Sequence, residues 1–160
     1  MSESSSVVQL KTKNDIIPLV GECSPLVPEG DYTASFLHHE TNDKAFGGAK
    51  KVYLRFRILD FGEHFEKEVY RAFNVKGLIG KPGKNGRFSL GKRSDLYFQL
   101  MKISPNVRAD RPSLNRLQNV ELKIRVRTVT RDSKQRDLPK QMHYSVVDEI
   151  LCVLDGDTNE

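Results

Sequence analysis

The segment at residues 51–59, KVYLRFRIL, alternates apolar side chains with cationic and aromatic ones. Successive side chains of a β-strand point to opposite faces, so the odd-numbered positions share one face. The residues on that face include Lys51, Tyr53, Arg55 and Arg57. Single-stranded nucleic acid suits such a face, because cations neutralise phosphates and an unpaired base stacks on a ring for about 1–3 kcal/mol. We therefore predict a binding face here; the alternative is the solvated face that antiparallel sheets commonly present.

Two further segments extend this face. Residues 65–75 (FEKEVYRAFNV) are predicted to return as the hairpin partner of 51–59. Their ring and cation candidates are Tyr70, Arg71 and Phe73. In this segment the odd and the even positions each contain both apolar and charged residues. Alternation alone therefore does not decide which side chains point outward. Residues 117–130 (LQNVELKIRVRTVT) predict another strand, whose outward cations are Lys123, Arg125 and Arg127.

Residues 76–93, KGLIGKPGKNGRFSLGKR, form a segment that we name the strap. It contains six cations, no acidic residue and a glycine at every third position from Gly77 to Gly86. Because glycine loses more backbone entropy on ordering than any other residue, we predict a flexible segment without regular helix or strand that closes over an anion. An exposed linker without a partner is the alternative. The predicted binding residues of the strap are Lys76, Lys81, Lys84, Arg87, Phe88, Lys92 and Arg93.

The positive charge of the chain is local. Its 160 residues carry 26 Lys and Arg against 21 Asp and Glu, a formal net charge of +5. The strap alone contributes +6, so the rest of the chain sums to −1 (5 − 6). Clustering of this kind indicates an anion-binding surface better than a basic isoelectric point does.

The predicted elements follow the order strand, strand, strand, helix, strand, strand. The first strand is predicted at 31–39, the last at 142–154, and the helix at 94–105. Ser94 is a good N-cap for that helix, and Pro105 ends it. This order is that of the OB fold, so we predict a mainly β, five-stranded OB-fold-like Greek-key barrel with one short helix between strands 3 and 4. A flat antiparallel sheet with one helix packed across it is the alternative.

The chain is predicted to form one domain with short extensions. Residues 1–28 are interpreted as an N-terminal tail and extended arm, 29–154 as the OB-fold-like domain, and 155–160 as a short acidic tail. Cys23 and Cys152 are interpreted as free thiols, with Cys152 a small core residue of the last strand. No segment has the apolar length of a signal peptide or a membrane span, so we expect a cytoplasmic protein without a membrane partner.

Catalysis has little support in the sequence. The four histidines are scattered, and neither cysteine has a partner at metal-ligand spacing. The sequence contains no recognisable Ser–His–Asp motif. Four acids surround one predicted turn, where a nuclease would hold Mg²⁺, but solvated turn charges explain them better. They are Asp60, Glu63, Glu66 and Glu68. We predict that the protein is not an enzyme and uses no cofactor and no metal.

Two segments carry a resemblance to a known group of proteins. VPEGDYTASFLHHETND (27–43) and KKVYLRFRILDFGEHFEKEVYRAFNV (50–75) resemble the opening strand and the paired second and third strands of the small OB-fold single-stranded-DNA-binding proteins of bacteriophages and mobile genetic elements. The resemblance covers about the first half of the domain. It implies coating of transient single strands during replication or recombination, without strong sequence preference, and recruitment of replication or recombination proteins. The ending VLDGDTNE (153–160) lacks the apolar tip through which bacterial single-strand binders dock partners.

These observations predict a module that binds single-stranded DNA by aromatic stacking and phosphate contacts. Duplex binding is disfavoured, because the sequence shows no helix-turn-helix, basic amphipathic helix or zinc-finger spacing. RNA remains an alternative ligand, since this surface would not by itself read a 2′-hydroxyl. The sequence leaves homo-oligomerisation open. The rival hypothesis is a protein–protein adaptor or assembly factor on the same OB-like barrel, with no nucleic-acid binding.

Overall fold

The computed structural model describes residues 26–45 and 48–154. Residues 1–25 of the predicted arm, with Cys23, and the predicted acidic tail at 155–160 lie outside the described residues. The inner end of the predicted arm belongs to the folded domain. Val27 is buried, its amide donates to Ser145 Oγ at 2.8 Å, and its carbonyl accepts from the same hydroxyl at 3.1 Å. The domain therefore begins by residue 27 rather than 29.

The described residues are mainly β, with one α-helix. In chain order the strands and the helix are β1 (Gly30–Asn42), β2 (Lys51–Ile58), β3 (Glu68–Asn74), β4 (Gly77–Ile79), β5 (Gly83–Lys84), β6 (Arg87–Ser89), α1 (Asp95–Ile103), β7 (Glu121–Val129) and β8 (Tyr144–Leu154). Short 3₁₀ helices lie at Asn115–Leu117 and Lys140–Met142. The five long strands form one antiparallel sheet in the order β3-β2-β1-β7-β8. The prediction of a mainly β fold with one short helix is thus confirmed for the described residues, and its long strands form an antiparallel sheet.

The core lies on one face of this sheet and follows the predicted alternation of β2. Leu54, Phe56 and Ile58 are completely buried, and Phe56 meets Phe36 of β1 edge-on with 5.8 Å between ring centroids. The register of β1 against β2 shifts between Phe36 and His38. The shift is a β-bulge at Leu37, and it reverses which parity of β1 faces outward beyond that point.

The sheet does not close through a hydrogen-bonded ladder among the described residues, so the predicted closed barrel is not confirmed. Arg71 of β3 bridges the gap between the edge strands. It pairs with Leu54 on the core-facing parity, and its guanidinium donates to the carbonyls of Val147 and Asp148 on β8. Arg71 therefore ties the two edges of the sheet together, and because it also lines the cleft between β3 and the end of β7, its contact with nucleic acid stays a prediction.

Helix α1 begins and ends as its capping residues predict. Ser94 Oγ accepts from the Tyr97 amide at 3.2 Å, and the helix ends before Pro105. Leu96 and Leu100 are buried, and Gln99 Oε1 accepts from the Ile150 amide of β8 at 2.9 Å. The helix therefore packs against the last strand.

The strap is folded, which corrects the prediction of a flexible segment without strands. Its outer parts pair as β4 with β6, and β5 pairs with the end of β1 through Glu40 and Thr41. The glycines permit this fold rather than prevent it. Gly83 has a φ of +137°, and a Cβ on Gly86 would lie 2.1 Å from Thr41 Oγ1. Only glycine allows the strap to approach β1 this closely.

Two aromatic residues predicted to stack on bases lie instead in the core. Phe73 is 4% exposed and Phe88 is 3% exposed. Phe73 packs on the core-facing parity of β3, and Phe88 anchors the strap by meeting the ring of His39 edge-on at 5.8 Å. Neither ring presents a face to a ligand, so both predictions are corrected. The prediction that Cys152 is a core residue is wrong. Its side chain is exposed on β8, where the residue lies opposite Lys123.

Candidate nucleic-acid interface

The outward face of β2 and β3 brings two tyrosines and an arginine together. Arg55 lies directly opposite Tyr70, which places Tyr53 and Tyr70 on a diagonal of the antiparallel pair. Their ring centroids are 6.0 Å apart, and the Arg55 guanidinium lies over the Tyr70 ring at 5.7 Å from its centroid. Both rings are half-buried, so each retains an accessible edge or face. We name Tyr53, Arg55 and Tyr70 the platform.

A carboxylate lies at the edge of the platform. Glu40 of β1 lies opposite Tyr53 in the sheet. Its carboxylate accepts hydrogen bonds from His38 Nε2 at 3.1 Å and from the Arg55 guanidinium at 3.3 Å. Burial alone would raise the pKa of Glu40, but the hydrogen bond from His38 and the charge of Arg55 outweigh it and lower that pKa. Burial raises the pKa of the Tyr53 phenol, so its hydroxyl remains protonated and can donate to a ligand. The anchored carboxylate holds Arg55 in place over the ring.

Two clefts flank the platform. A cleft of about 240 Å³ is lined by Tyr53, Arg55, Glu40 and Lys84, the last of which belongs to the strap. A cleft of about 450 Å³ on the other side lies between the β3 residues around Tyr70 and the end of β7 with the loop that follows it. The tyrosine pair therefore lies between the two clefts. This face of the sheet can accommodate an extended polymer that carries planar groups.

The strap cations have no carboxylate partner within residues 26–45 and 48–154. None of the six forms an ion pair or a side-chain hydrogen bond with another described residue, and all six are exposed. They do not all face the platform. Lys84 lines the smaller cleft, whereas Lys76 and Lys92 line a separate cavity. The complete set is Lys76, Lys81, Lys84, Arg87, Lys92 and Arg93.

The two arginines of β7 are paired, in contrast to the strap. Arg125 contacts Asp31 at 3.2 Å and Glu149 at 3.6 Å. Arg127 contacts Asp148 at 2.9 Å and also lines the larger cleft. The structure therefore keeps Arg127 beside the platform, and it places Arg125 in an ion-pair network away from both clefts.

The remaining predicted cations are at the margins of the sheet face. Lys123 lies opposite Thr33, and Arg57 lies opposite Glu68. Lys51 donates to Asn74 Oδ1 at 2.9 Å at the strap end of the β2–β3 pair. Of the sixteen residues predicted to bind nucleic acid, the structure gathers six around the two clefts: Tyr53, Arg55, Tyr70, Arg71, Lys84 and Arg127.

Two residues of the clefts, Glu40 and Tyr144, were missed from the sequence. Glu40 restrains Arg55, and Tyr144 and Arg131 line the larger cleft. Arg131 is held by Asp137 at 3.1 Å. Tyr144 begins the last predicted strand, and its aromatic type was a usable signal. Nothing local in the sequence indicated that it lines the same cleft as Tyr70.

Among residues 26–45 and 48–154, no group of His, Cys, Asp or Glu side chains could hold a metal ion. No helix within those ranges is long and apolar enough to cross a bilayer. Comparison with protein-family models, curated proteins and solved structures finds no match to this chain.

Proposed function

We propose that this protein binds single-stranded DNA without strong sequence preference and without catalysing a reaction on it. The observation that carries the proposal is the pair of outward tyrosines with a guanidinium over one ring, set between two clefts. Stacking on aromatic rings tolerates every base, because every base has a π-face. Lys84 of the strap, which forms no ion pair with another described residue, supplies charge for the sugar-phosphate chain at the edge of the same surface.

Single strands suit this surface better than a duplex does. The platform is a half-buried pair of rings, which an unpaired base can reach and a stacked base pair cannot. Helix α1, the one α-helix of the described residues, has nine residues, and its only cation, Lys102, is engaged by Glu149. It therefore supplies no basic face for a major groove.

The topology supports an OB-type barrel as the finer description of the fold. The element order, with β1 between β2 and β7 and a helix between the third and fourth long strands, is compatible with that fold. The seam between β3 and β8 is then the partly open side of the barrel, bridged by Arg71. In OB folds the face of strands 2 and 3 and the loop between strands 4 and 5 bind oligonucleotides. The platform and the larger cleft occupy the corresponding positions.

The resemblance of the first half of the domain extends the proposal to a biological role. We propose that the protein coats transient single strands during replication or recombination of a phage or mobile element. The rival role is a protein–protein adaptor, for which the strap would be a docking surface rather than a phosphate-binding one.

Fluorescence anisotropy with a labelled oligothymidylate of about 12 nucleotides tests the proposal, because one OB fold occupies roughly 4–16 nucleotides. We expect binding at low salt, weakening by about 0.7 log units per neutralised phosphate for each log unit of salt. Tyr53→Ala and Tyr70→Ala should each weaken binding by about 5- to 100-fold, the value of one stacked base. Phe98→Ala, which removes an exposed ring of α1, is the matched control and should bind like the wild type.

An absence of any anisotropy change at low salt would exclude the proposal and favour the adaptor. Binding that both tyrosine variants retain at wild-type affinity would place the ligand on another face. A folded state that is unchanged by circular dichroism is required of each variant, and the outward parity of both rings makes this the expected result.

A further inference from the structure

The turn between β2 and β3 presents an aromatic pair to solvent. Phe61 is 91% exposed and Phe65 is 38% exposed, and their rings stack at 5.2 Å with 29° between planes. The turn is held firmly: the Leu59 amide donates to Thr33 O at 2.8 Å, and the Glu66 amide donates to Ile58 O at 2.8 Å. We name residues 59–68 the tip. A rigid turn that exposes two stacked rings is a preformed apolar contact surface.

Carboxylates surround these rings. The tip carries four acidic residues against one lysine, a net charge of −3. Asp60 is engaged by the Thr33 amide at 3.3 Å. Glu63, Glu66 and Glu68 are exposed and form no ion pair with any other described residue. The tip therefore combines an apolar centre with an acidic rim.

The cavity behind the strap has complementary properties. It has a volume of about 720 Å³ and is lined by Leu90, Tyr97 and Val107 together with Lys76 and Lys92. An apolar cavity of about 150 Å³ already accommodates a benzene ring, so this volume is ample for two phenyl groups. Its other charges cancel, because Arg108 and Asp110 pair at 2.8 Å. We name this cavity the socket: an open cavity whose lining mixes apolar and polar side chains, with two lysines that form no ion pair with another described residue.

The tip and the socket cannot meet within one chain. The tip lies at the Glu68 end of β3, and Lys76 follows the Asn74 end. The seven residues of β3 separate them by about 20 Å. The hydrogen bonds that fix the tip to β1 and β2 prevent it from folding back over that distance. The two surfaces are therefore available to different copies of the chain.

We propose that the tip of one copy docks into the socket of a second copy, with Phe61 and Phe65 inside the cavity and the glutamates against Lys76 and Lys92. The contact is heterologous, since it joins two different patches, and it leaves one tip and one socket open at the ends of every chain of copies. If the proposed function holds, successive copies would bind neighbouring stretches of one strand cooperatively; only this consequence rests on that function.

Sedimentation velocity of the full chain without DNA tests the contact. The tip variant is Phe61→Ala with Phe65→Ala, and the socket variant is Lys76→Glu with Lys92→Glu. We expect the wild type to associate with rising concentration at low salt, and each variant alone to remain monomeric. A mixture of the two variants should form a 1:1 dimer and stop there, because only one functional tip and one functional socket can meet. Phe98→Ala is the matched control and should associate like the wild type.

Two results would overturn the inference. One is a wild type that stays monomeric at every concentration and salt tested, and the other is association that both variants retain. Should Phe65→Ala perturb folding, Phe61→Ala alone, at a position that is almost fully exposed, gives the same test.

A DNA measurement separates this inference from the proposed function. The wild type should bind a long oligothymidylate more tightly than a short one, on the order of 100-fold, and the tip variant should lose this ratio while keeping wild-type affinity for the short one. If the wild type does not bind the short oligothymidylate, the proposed function is contradicted and the sedimentation result is unaffected. A ratio unchanged in the tip variant would contradict docking between neighbouring copies.

Discussion

The strap and strand β7 look alike in the sequence and differ in the folded chain. Both carry closely spaced lysines and arginines. In the strap all six cations lack a carboxylate partner among the described residues, whereas the two arginines of β7 contact Asp31, Glu149 and Asp148. A cation that already has an ion-pair partner must give it up to bind a phosphate. The comparison teaches that the available charge of this molecule lies on the strap.

The cause of the difference is the pairing of strands. β7 is bordered by β1 and β8, and antiparallel register places Asp31 and Glu149 directly opposite Arg125. Opposite charges at such positions attract and hold one another. The strap contains no acidic residue, and Glu40, opposite Lys84 in β1, is already engaged by His38 and Arg55. The strap therefore finds no carboxylate partner in the part of the chain that the structure describes.

Neutralising part of the strap should produce the largest loss of binding. The variant is Lys81→Gln, Lys84→Gln and Arg87→Gln, which avoids the two lysines of the socket. Each lost phosphate contact lowers affinity for a single strand by about 0.7 log units at 0.1 M salt, so three contacts correspond to about 100-fold. The slope of log affinity against log salt should fall by about 2. Anisotropy titrations at several salt concentrations measure both quantities.

The matched control is Lys123→Gln with Arg125→Gln on β7. It removes two cations from the sheet, and we expect affinity to change by less than about threefold because Arg125 is held by carboxylates away from the clefts. A β7 loss as large as that of the strap variant would remove the distinction between the two regions.

Arg71→Ala should produce the largest loss of stability. The side chain is mostly buried, lies 4.5 Å from the centre of the Phe73 ring and donates to two carbonyls of β8. Its removal leaves those carbonyls without a donor, at a cost of about 2 kcal/mol in the free energy of unfolding. Urea denaturation measures this. Arg125→Ala, which breaks exposed ion pairs only, should cost less than about 1 kcal/mol. Equal losses would show that the seam between β3 and β8 does not depend on Arg71.

The elements were predictable where the signal is local. Alternation at 51–59 predicted β2 (Lys51–Ile58), and the cap at Ser94 with the stop at Pro105 predicted α1 (Asp95–Ile103). Both signals act within a few residues of the chain, so no knowledge of distant partners is needed.

The rest of the site depends on distant partners. Glycine content suggested a flexible strap, but pairing with β1, which lies some 40 residues earlier, orders it. The parity of β3 was ambiguous in the sequence, and its register against β2 turns Arg71 inward and Tyr70 outward. The ion pairs of β7 likewise follow from register. The fold therefore decides which cations a ligand can reach. Composition alone overstated the number of cations beside the platform.

Glu40→Gln tests the role of a carboxylate at the platform itself. We expect smaller effects than those above, with binding strengthened and the folded state destabilised. Removing a carboxylate that lies close to the path of a phosphate should raise affinity by about fivefold, since one such repulsion costs roughly 1 kcal/mol in water. The lowered pKa of Glu40 means that its ionised form stabilises the folded state at neutral pH, so the variant should be less stable. Anisotropy and urea denaturation of one preparation measure both. Weaker binding would indicate that Glu40 positions Arg55 for the ligand instead of competing with it.

His39 gives the smallest expected effect and tests how the strap is fixed. Its Nε2 donates to Gly86 O at 2.8 Å, and burial lowers its pKa below the ordinary 6.5. As pH falls through 6.5, the unfolded chain takes up a proton that the folded chain resists, so the free energy of unfolding should decrease until the folded pKa is reached. His39→Gln keeps a donor for Gly86 and should show a flatter dependence between pH 7 and pH 5.5, with stability like the wild type above pH 7.5. The protection factor of the Asn85 amide, which donates to His39 O at 2.8 Å, reports the strap directly and should fall at low pH in the wild type more than in the variant. Identical pH dependence in the two proteins would mean that the strap is held without the neutral imidazole.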